Sequence, residues 1–190
     1  MDFFAIGAVI GPVGAIASAE IGKVPILGAV SRAFGVLFID RRRRLNQGDE
    51  IAKRAKREWP LVEVPPFLVF PEGTTTNGKT LLTYKAGAFE PRVPVLPFFV
   101  KYKSMSGTSW CWVAPLDIFT HFFQLLCEVS SSAEIYIMPL YHPNEDECKD
   151  SHLYANNVQQ YVANENGVLA TKKTVKVLLS VMHVADFAVV

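Results

Sequence analysis

The fold is decided by one stretch of sequence, Phe67-Leu68-Val69-Phe70-Pro71-Glu72-Gly73-Thr74. Its four apolar residues predict a buried strand, and Pro71, which has no N–H to donate, ends that strand. The carboxylate of Glu72 and then Gly73, which has no Cβ, follow directly. Because α/β domains build their sites where strands end, function is predicted to lie at this junction. A plain strand-to-turn junction is the alternative interpretation.

Short apolar runs on both sides of this stretch alternate with helical patterns. Strands are predicted at residues 36–39, 67–70, 95–102, 110–113 and 134–138. Helices are predicted at residues 46–58, 81–89, 118–127 and 151–164, and residues 171–190 fit either a strand or a helix. The run at 95–102 is almost wholly apolar, as expected for a strand that is covered on both faces. The alternation predicts an α/β domain with a mixed central sheet flanked by helices.

Composition limits the class of protein. A chain of 190 residues fits one domain. Half of the residues are hydrophobic and 19% are charged, which indicates attachment to a membrane or a partner. The formal charge of +1 argues against a strongly basic nucleic-acid binder. Three cysteines without a Cys-x-x-Cys pair predict neither a disulfide framework nor a zinc site, and the acidic residues 144–150 lack the pattern of a calcium loop, so no metal is expected.

The apolar stretch at residues 3–17 is not predicted to cross a membrane. It has 15 residues, fewer than the ~20 that a spanning helix needs, and Gly11-Pro12 interrupts it. It also lacks the basic start of a cleaved signal peptide. A core or interfacial helix is the expected structure.

Two further blocks accompany the central stretch. Gly35 opens an apolar strand that leads to Arg41, about thirty residues upstream, and Val93-Pro94-Val95-Leu96-Pro97 follows about twenty residues downstream. In this order, the three blocks resemble those of the acyl-CoA-dependent glycerolipid acyltransferases. The resemblance covers roughly residues 2 to 165. It is greatest to the lysophosphatidylcholine and lysophosphatidylethanolamine branch, because Thr75-Thr76-Asn77 stands where many phosphatidate-forming relatives carry arginine.

The resemblance implies a fold and a reaction. The fold would be like that of glycerol-3-phosphate acyltransferase, with residues 1–165 as the acyltransferase domain and 166–190 as a C-terminal extension. The reaction would move a fatty acyl group from acyl-CoA to the free hydroxyl of a lysophospholipid, without a cofactor or metal. The expected partners are acyl-CoA, a lysophospholipid and a membrane surface, without nucleic acid, and the expected location is the cytosolic face of the endoplasmic reticulum. Acyl-chain length, headgroup preference and oligomeric state are not encoded in these motifs.

The resemblance also assigns roles to single residues. Asp2 matches the aspartate of the family's His-x4-Asp pair, in which histidine is the general base and aspartate holds its tautomer. Acceptor or phosphate binding is implied for Arg41, Glu72, Gly73, Thr74 and Lys85, and motif support for Gly35, Phe70, Pro71, Pro94 and Pro97. A surface lysine is the alternative for Lys85.

The histidine of the pair belongs five positions before Asp2, upstream of Met1. The expectation is therefore a chain shortened before its base, by a truncated gene model or as an isoform. A catalytically inactive protein that binds lipid or acyl-CoA is the alternative. The other histidines are not expected to replace the base: His142 is predicted to be a surface residue, His121 to pair with Asp117 along a helix, and His152 and His183 have no supporting residues around them.

A basic segment follows the strand predicted at residues 36–39. Residues 41–57 contain eight Lys or Arg against Asp49 and Glu50, a net charge of +6. Such a segment suits anionic lipid headgroups or the phosphates of coenzyme A. A nuclear localisation signal and a solvated helix face are the alternatives. The apolar residues 116–126 are predicted to pack mainly into the core rather than against a membrane.

Overall fold

A computed structural model describes residues 2–11, 13–19, 21–23, 28–29, 31–32, 36–39, 52–53, 55–56, 67–74, 76, 80–104 and 118–172. In this part of the chain three α-helices have defined bounds: α1 (Asp2–Ile10), α2 (Ile118–Leu126) and α3 (Ser151–Asn166). The strands are β1 (Gly14–Ser18), β2 (Leu37–Ile39), β3 (Phe67–Leu68), β4 (Thr80–Leu81), β5 (Phe98–Ser104), β6 (Ser131–Ile137) and β7 (Leu169–Ala170). Helices and short strands are both present in this part of the chain, so the predicted α/β class is confirmed.

The chain divides into two compact units. The first contains Met1–Pro71, Ala86–Val95 and His142–Tyr154, and the second contains Glu72–Lys85, Leu96–Tyr141 and Ala155–Val190. The predicted boundary between residues 165 and 166 stays a prediction, although β7 lies beyond it and pairs with β4 inside the second unit.

The first unit holds a three-stranded parallel sheet in the order β2-β1-β3. β1 pairs Ala17 with Phe38 on one side and Ala15 with Leu68 on the other. Its predecessor α1 ends where Gly11 takes a φ of 87° and donates its N–H to the Gly7 carbonyl at 3.0 Å. Glycine adopts this left-handed conformation without strain, so the chain can leave the helix and enter β1.

Tyr154 is the centre of a second packed region in the first unit. Its side chain is fully buried, its ring meets Phe89 edge to face at 5.0 Å, and its hydroxyl donates to the Val93 carbonyl at 2.9 Å. Aromatic pairs favour this geometry, and a buried hydroxyl needs such a partner. The interaction attaches the start of α3 to the segment that carries the third sequence block.

The acidic stretch before α3 is a capped turn. The Glu147 carboxylate is buried and accepts from the Asn144 N–H at 2.8 Å, while the Asn144 side chain accepts from the Glu147 N–H at 2.9 Å. This reciprocal pair is a capping box. Asp150 then caps α3 by accepting from the His152 N–H at 2.8 Å. These carboxylates therefore satisfy backbone donors.

The second unit packs around the buried face of α3. That face repeats at the spacing of an amphipathic helix and consists of Ala155, Val158, Gln159, Val162 and Ala163. Leu81 and Leu82 are buried in the same unit, and β4 pairs in parallel with β7. Gly167, with a φ of 62°, ends α3 directly before β7.

A separate antiparallel pair, β5 with β6, completes the second unit. Its register places Phe99 opposite Tyr136 and Lys101 opposite Glu134. The Lys101 ammonium lies 5.0 Å from the centre of the Tyr136 ring, a cation–π distance. In β5 only Phe99 is buried and the other residues are half-buried or exposed, so the strand is not covered on both faces as predicted for residues 95–102.

The structure confirms several predicted elements. Strands at 36–39 and 134–138 and helices at 118–127 and 151–164 are present within one to three residues of their predicted ends. Ala52 accepts from the Lys56 N–H at 2.9 Å, which is the helical bond expected within 46–58. The predicted turn at 77–78, the strand at 110–113 and residues 173–190 lie outside the described residues.

Other predictions are wrong in extent or type. The strand predicted at 67–70 has two residues, because β1 offers partners only to Phe67 and Leu68. The single apolar helix expected at 3–17 is a helix followed by β1. The helix predicted at 81–89 is absent: β4, an extended stretch and a short 3₁₀ turn at Ala86–Ala88 replace it, because its backbone groups bond to distant residues.

The outer face of α2 differs from the predicted core packing. Phe123 and Leu126 are 66% and 67% exposed, and Val129 beyond the helix is 92% exposed. His121 on the same helix is buried. The helix therefore buries part of its surface and leaves an apolar tip in solvent. Among the residues that the structure describes, no helix is both long and apolar enough to cross a membrane.

We expect Tyr154→Phe to lower the free energy of unfolding by about 1 kcal/mol, because it removes the buried hydroxyl that donates to the Val93 carbonyl and keeps the ring. Urea unfolding measures the change. Gln160→Ala, at an exposed position of the same helix, is the control and should stay within about 0.5 kcal/mol of the parent. Equal effects of the two substitutions would contradict the assigned role of the hydroxyl.

Candidate active site

The turn that follows β3 holds Glu72 in a defined position. Glu72 is half-buried, and its Oε2 accepts a hydrogen bond from the Leu82 backbone N–H at 3.1 Å. Bonds from N–H donors to a carboxylate are stronger than those between neutral groups. The protein thus orients this side chain, and a carboxylate is chemically an acceptor for hydroxyl donors.

Gly73 brings Lys85 to the same turn. Its φ of 67° lies in the left-handed region, and the Lys85 side chain passes directly over its α-carbon. A Cβ at this position would lie 2.7 Å from Lys85 Cε and would collide with Nζ. The backbone conformation therefore requires glycine, and a Cβ would also make the flexible end of Lys85 move aside.

Tyr84 contributes a buried phenol beside this pair. Burial raises the pKa of Tyr84 far above its ordinary value, and the negative charge of Glu72 raises the pKa further. The hydroxyl consequently remains protonated at any pH at which the protein functions. The segment from Glu72 to Lys85 therefore contains a fixed carboxylate, an ammonium and a neutral phenol.

This combination suits one kind of ligand. A carboxylate accepts hydrogen bonds from the hydroxyls of a glycerol, and an ammonium binds a phosphate as a compact charge. Among the residues that the structure describes, no group of three or more His, Cys, Asp or Glu side chains is arranged to hold a metal ion.

The structure brings together only some of the residues predicted for the site. Glu72, Gly73 and Lys85 meet at the turn, and Thr74 lies exposed beside them. Of the supporting residues, Phe70 and Pro94 are exposed, Pro71 is half-buried and Pro97 is buried. Asp2 is the first residue of α1, but its side chain, together with Gly35 and Arg41, lies outside the described part of the chain.

Three groups that surround or support the Glu72 turn were not predicted from the sequence: Tyr84, the Leu82 N–H and Gln159. Tyr84 and Leu82 fell within the helix wrongly predicted at 81–89. Gln159 had a usable signal, because it is a polar residue at a core position of the α3 stripe. A buried amide at such a position must have hydrogen-bond partners, which marks it for attention.

The histidines differ in their exposure. His142 is exposed as predicted, and His152 is exposed as well. His121 is buried, and its Nε2 has no hydrogen-bond partner. Its predicted partner Asp117, and also His183, lie outside the described residues.

Comparison with known proteins identifies the family. The family model described as Acyltransferase matches residues 1–101, which is more than half of the chain. The chain belongs to the acyltransferase family. This confirms the resemblance drawn from the three sequence blocks, all of which lie within the matched residues. No solved structure matches this acyltransferase chain significantly.

Relatives with assigned names agree with this family. The chain is 32% identical over 162 residues to lysophospholipid acyltransferase LPEAT1 of Arabidopsis thaliana, a match covering 83% of this chain and 40% of the relative. It is 36% identical over 165 residues to human lysophospholipid acyltransferase LPCAT4, covering 83% and 30%. Lysophosphatidylcholine acyltransferase 1 of Rattus norvegicus is 34% identical over 165 residues, covering 84% and 30%. The chain thus spans less than half of the length of each.

We expect Gly73→Ala to destabilise the protein by at least about 1–2 kcal/mol, which is the cost of a left-handed conformation for a residue with a Cβ. The flexible end of Lys85 can move away from the added Cβ at little further cost. Gly87→Ala is the matched control, because nothing lies within 4 Å of its added Cβ. Urea unfolding of both variants gives the comparison.

The backbone cost at Gly73 can be isolated. In a Lys85→Ala background, Gly73→Ala should lose about as much stability as in the parent, because the flexible end of Lys85 can move aside at little cost. An effect at Gly73 no larger than that at Gly87 would show that the turn does not have the described geometry.

Proposed function

We propose that this chain transfers a fatty acyl group from acyl-CoA to the free hydroxyl of a lysophospholipid. The observation that carries the proposal is the turn in which Lys85 crosses Gly73 beside the oriented carboxylate of Glu72. In a member of the acyltransferase family, this turn combines a hydroxyl acceptor with a phosphate-binding cation. The names of its relatives supply the substrate class.

The reaction needs no cofactor. The acceptor hydroxyl attacks the thioester carbonyl, a C–O bond forms, and the C–S bond to coenzyme A breaks as the tetrahedral intermediate collapses. The hydroxyl proton passes to a general base and from there to the departing thiolate. The products are a diacyl phospholipid and free coenzyme A.

Each site residue has a place in this reaction. Glu72 accepts from the glycerol hydroxyls of the acceptor, and Gly73 and Thr74 offer backbone donors. Arg41 and Lys85 bind its phosphate. Asp2 holds the base, which in the family pattern is a histidine five positions earlier.

The fold proposed with this function is a mixed sheet flanked by helices, as in glycerol-3-phosphate acyltransferase. Both kinds of strand pairing that such a sheet needs occur in the described residues, in separate sheets: β1 pairs in parallel with β2 and β3, and β5 pairs antiparallel with β6.

We also place the protein on the cytosolic face of a membrane, the endoplasmic reticulum being the expected one. Two features support attachment to a lipid surface. The segment 41–57 carries a charge of +6, and the tip of α2 exposes Phe123, Leu126 and Val129. Basic residues attract anionic headgroups, and apolar side chains enter the interface.

The catalytic proposal is tested by release of free coenzyme A from acyl-CoA in the presence of a lysophospholipid. The 190-residue chain should be slower than a version extended upstream to place a histidine five positions before Asp2, by at least the ~10²–10⁴-fold that a general base contributes. A histidine-to-alanine variant of the extended chain is the control. Substantial turnover by the shorter chain would assign the base to another residue, and an inactive extended chain would favour a lipid-binding protein without catalysis.

The two membrane features should differ in their response to salt. Neutralising Arg42, Arg43 and Arg44 is expected to weaken binding to anionic vesicles by at most ~1 kcal/mol per charge, and added salt should remove the difference. Phe123→Ser with Leu126→Ser should weaken binding to anionic and neutral vesicles alike, at any salt concentration. Gln124→Ser, an exposed position on the same helix, is the control. Vesicle binding that is insensitive to both sets of changes would refute the proposed attachment.

A further inference from the structure

The peptide unit between Leu81 and Leu82 connects Glu72 with residues far along the chain. Its N–H donates to Glu72 Oε2 at 3.1 Å. Its carbonyl accepts from the Thr171 N–H at 2.9 Å and from Gln159 Nε2 at 3.3 Å. Donors at the carbonyl end polarise a peptide and strengthen the bond that its N–H makes. The position of the Glu72 carboxylate thus depends on groups supplied by α3 and by the segment after it.

The Gln159 side chain makes three hydrogen bonds in this region. Its side chain is only 4% exposed, and besides Leu81 its amide nitrogen reaches the carbonyls of Leu82 at 2.8 Å and Thr171 at 3.1 Å. All three acceptors are backbone groups, so a single amide joins β4 to β7 beyond their own pairing. A buried amide is costly unless it is bonded in this way.

The segment that these hydrogen bonds hold also carries Lys85, the second charged residue at the turn. Lys85, which crosses Gly73, lies three residues after Leu82. Thr83 Oγ1 between them donates to the Thr171 carbonyl at 3.2 Å, as a second attachment to the same carbonyl. If the segment shifts, the partner of Glu72 and the backbone leading to Lys85 both shift with it.

We propose that Gln159 is a positioning residue for acceptor binding, which it governs through the Leu81–Leu82 peptide and Glu72 without touching substrate. This inference rests on the function proposed above for Glu72. It extends the site to α3 and to Thr171, beyond the residues 1–101 that match the family model. Loss of the amide donors should therefore affect the lysophospholipid more than the acyl donor.

A double-mutant cycle in the extended, histidine-containing protein tests the connection. Gln159→Met keeps a similar length and removes both donors, and Gln160→Met, at the exposed neighbouring position, is the matched control. We expect Gln159→Met to lower kcat/KM for the lysophospholipid by at least about fivefold, as is typical of residues that share one hydrogen-bond network. The KM for acyl-CoA should change by less than about twofold.

The Glu72→Gln background decides whether Gln159 acts through Glu72. There, Gln159→Met should reduce kcat/KM by less than about twofold, because the group that it positions has already been altered. Equal factors in the two backgrounds would overturn the proposal. Unchanged kinetic constants in a folded but less stable Gln159→Met protein would also overturn it, since they would assign the residue a structural role alone.

Hydrogen exchange at the Leu82 amide gives a readout that does not require activity. Gln159→Met should accelerate exchange at Leu82, whereas Gln160→Met should not. If the extended parent protein releases no coenzyme A, the proposed function fails, and the Leu82 exchange rate alone then judges whether Gln159 controls the bond to Glu72. Unchanged exchange overturns the inference in either case. If Gln159→Met does not fold, Thr83→Val, which removes the other side-chain donor to Thr171, replaces it in both experiments.

Discussion

The hydrogen bond from the Leu82 N–H to the Glu72 carboxylate is the interaction on which the described site depends. It joins the turn after β3 to the segment that ends in Lys85. One peptide unit supplies the donor for this bond and the acceptor for Gln159 and Thr171. The bond from a backbone donor helps to fix the orientation of this carboxylate.

The turn itself shows how a small residue permits a charged one to approach. Gly73 has the left-handed backbone that the chain needs to reverse direction, and its missing Cβ leaves room for the Lys85 side chain. The exposed Lys85 side chain therefore lies close to the backbone of the turn at Gly73. The buried Tyr84 phenol, kept neutral by its raised pKa, adds a third polar group without adding charge.

The difference between the predicted and observed structure of residues 81–89 has a physical cause. Their spacing of apolar residues fits a helix, and a helix would satisfy each N–H with a carbonyl four residues earlier. In the protein these groups bond instead to Glu72, Gln159 and Thr171, which are distant in sequence. Tertiary hydrogen bonds therefore outweigh local propensity, which is a weak determinant by itself. The wrongly predicted helix lies in the segment that carries the candidate site, and functional sites are where structure most often departs from local sequence preference.

Sequence by itself determined the features that depend on neighbouring residues or on composition. The helix at Ser151–Asn166 follows from its periodicity and from Gly167, and the strand and turn at 67–74 follow from an apolar run before Pro71. The order of three short blocks was enough to indicate the acyltransferase family, which the family match bears out. These signals survive in sequence because each is local.

Only the tertiary structure decided which groups surround Glu72. Gln159 and Leu82 are 77 positions apart, and no periodicity relates a buried amide to the carbonyl that it will meet at that separation. Pairing of β4 with β7 and the path of Lys85 over Gly73 are likewise set by packing. The exposed tip of α2 has the same origin, since an apolar stripe shows which side of a helix can be buried but not how far its neighbours cover it.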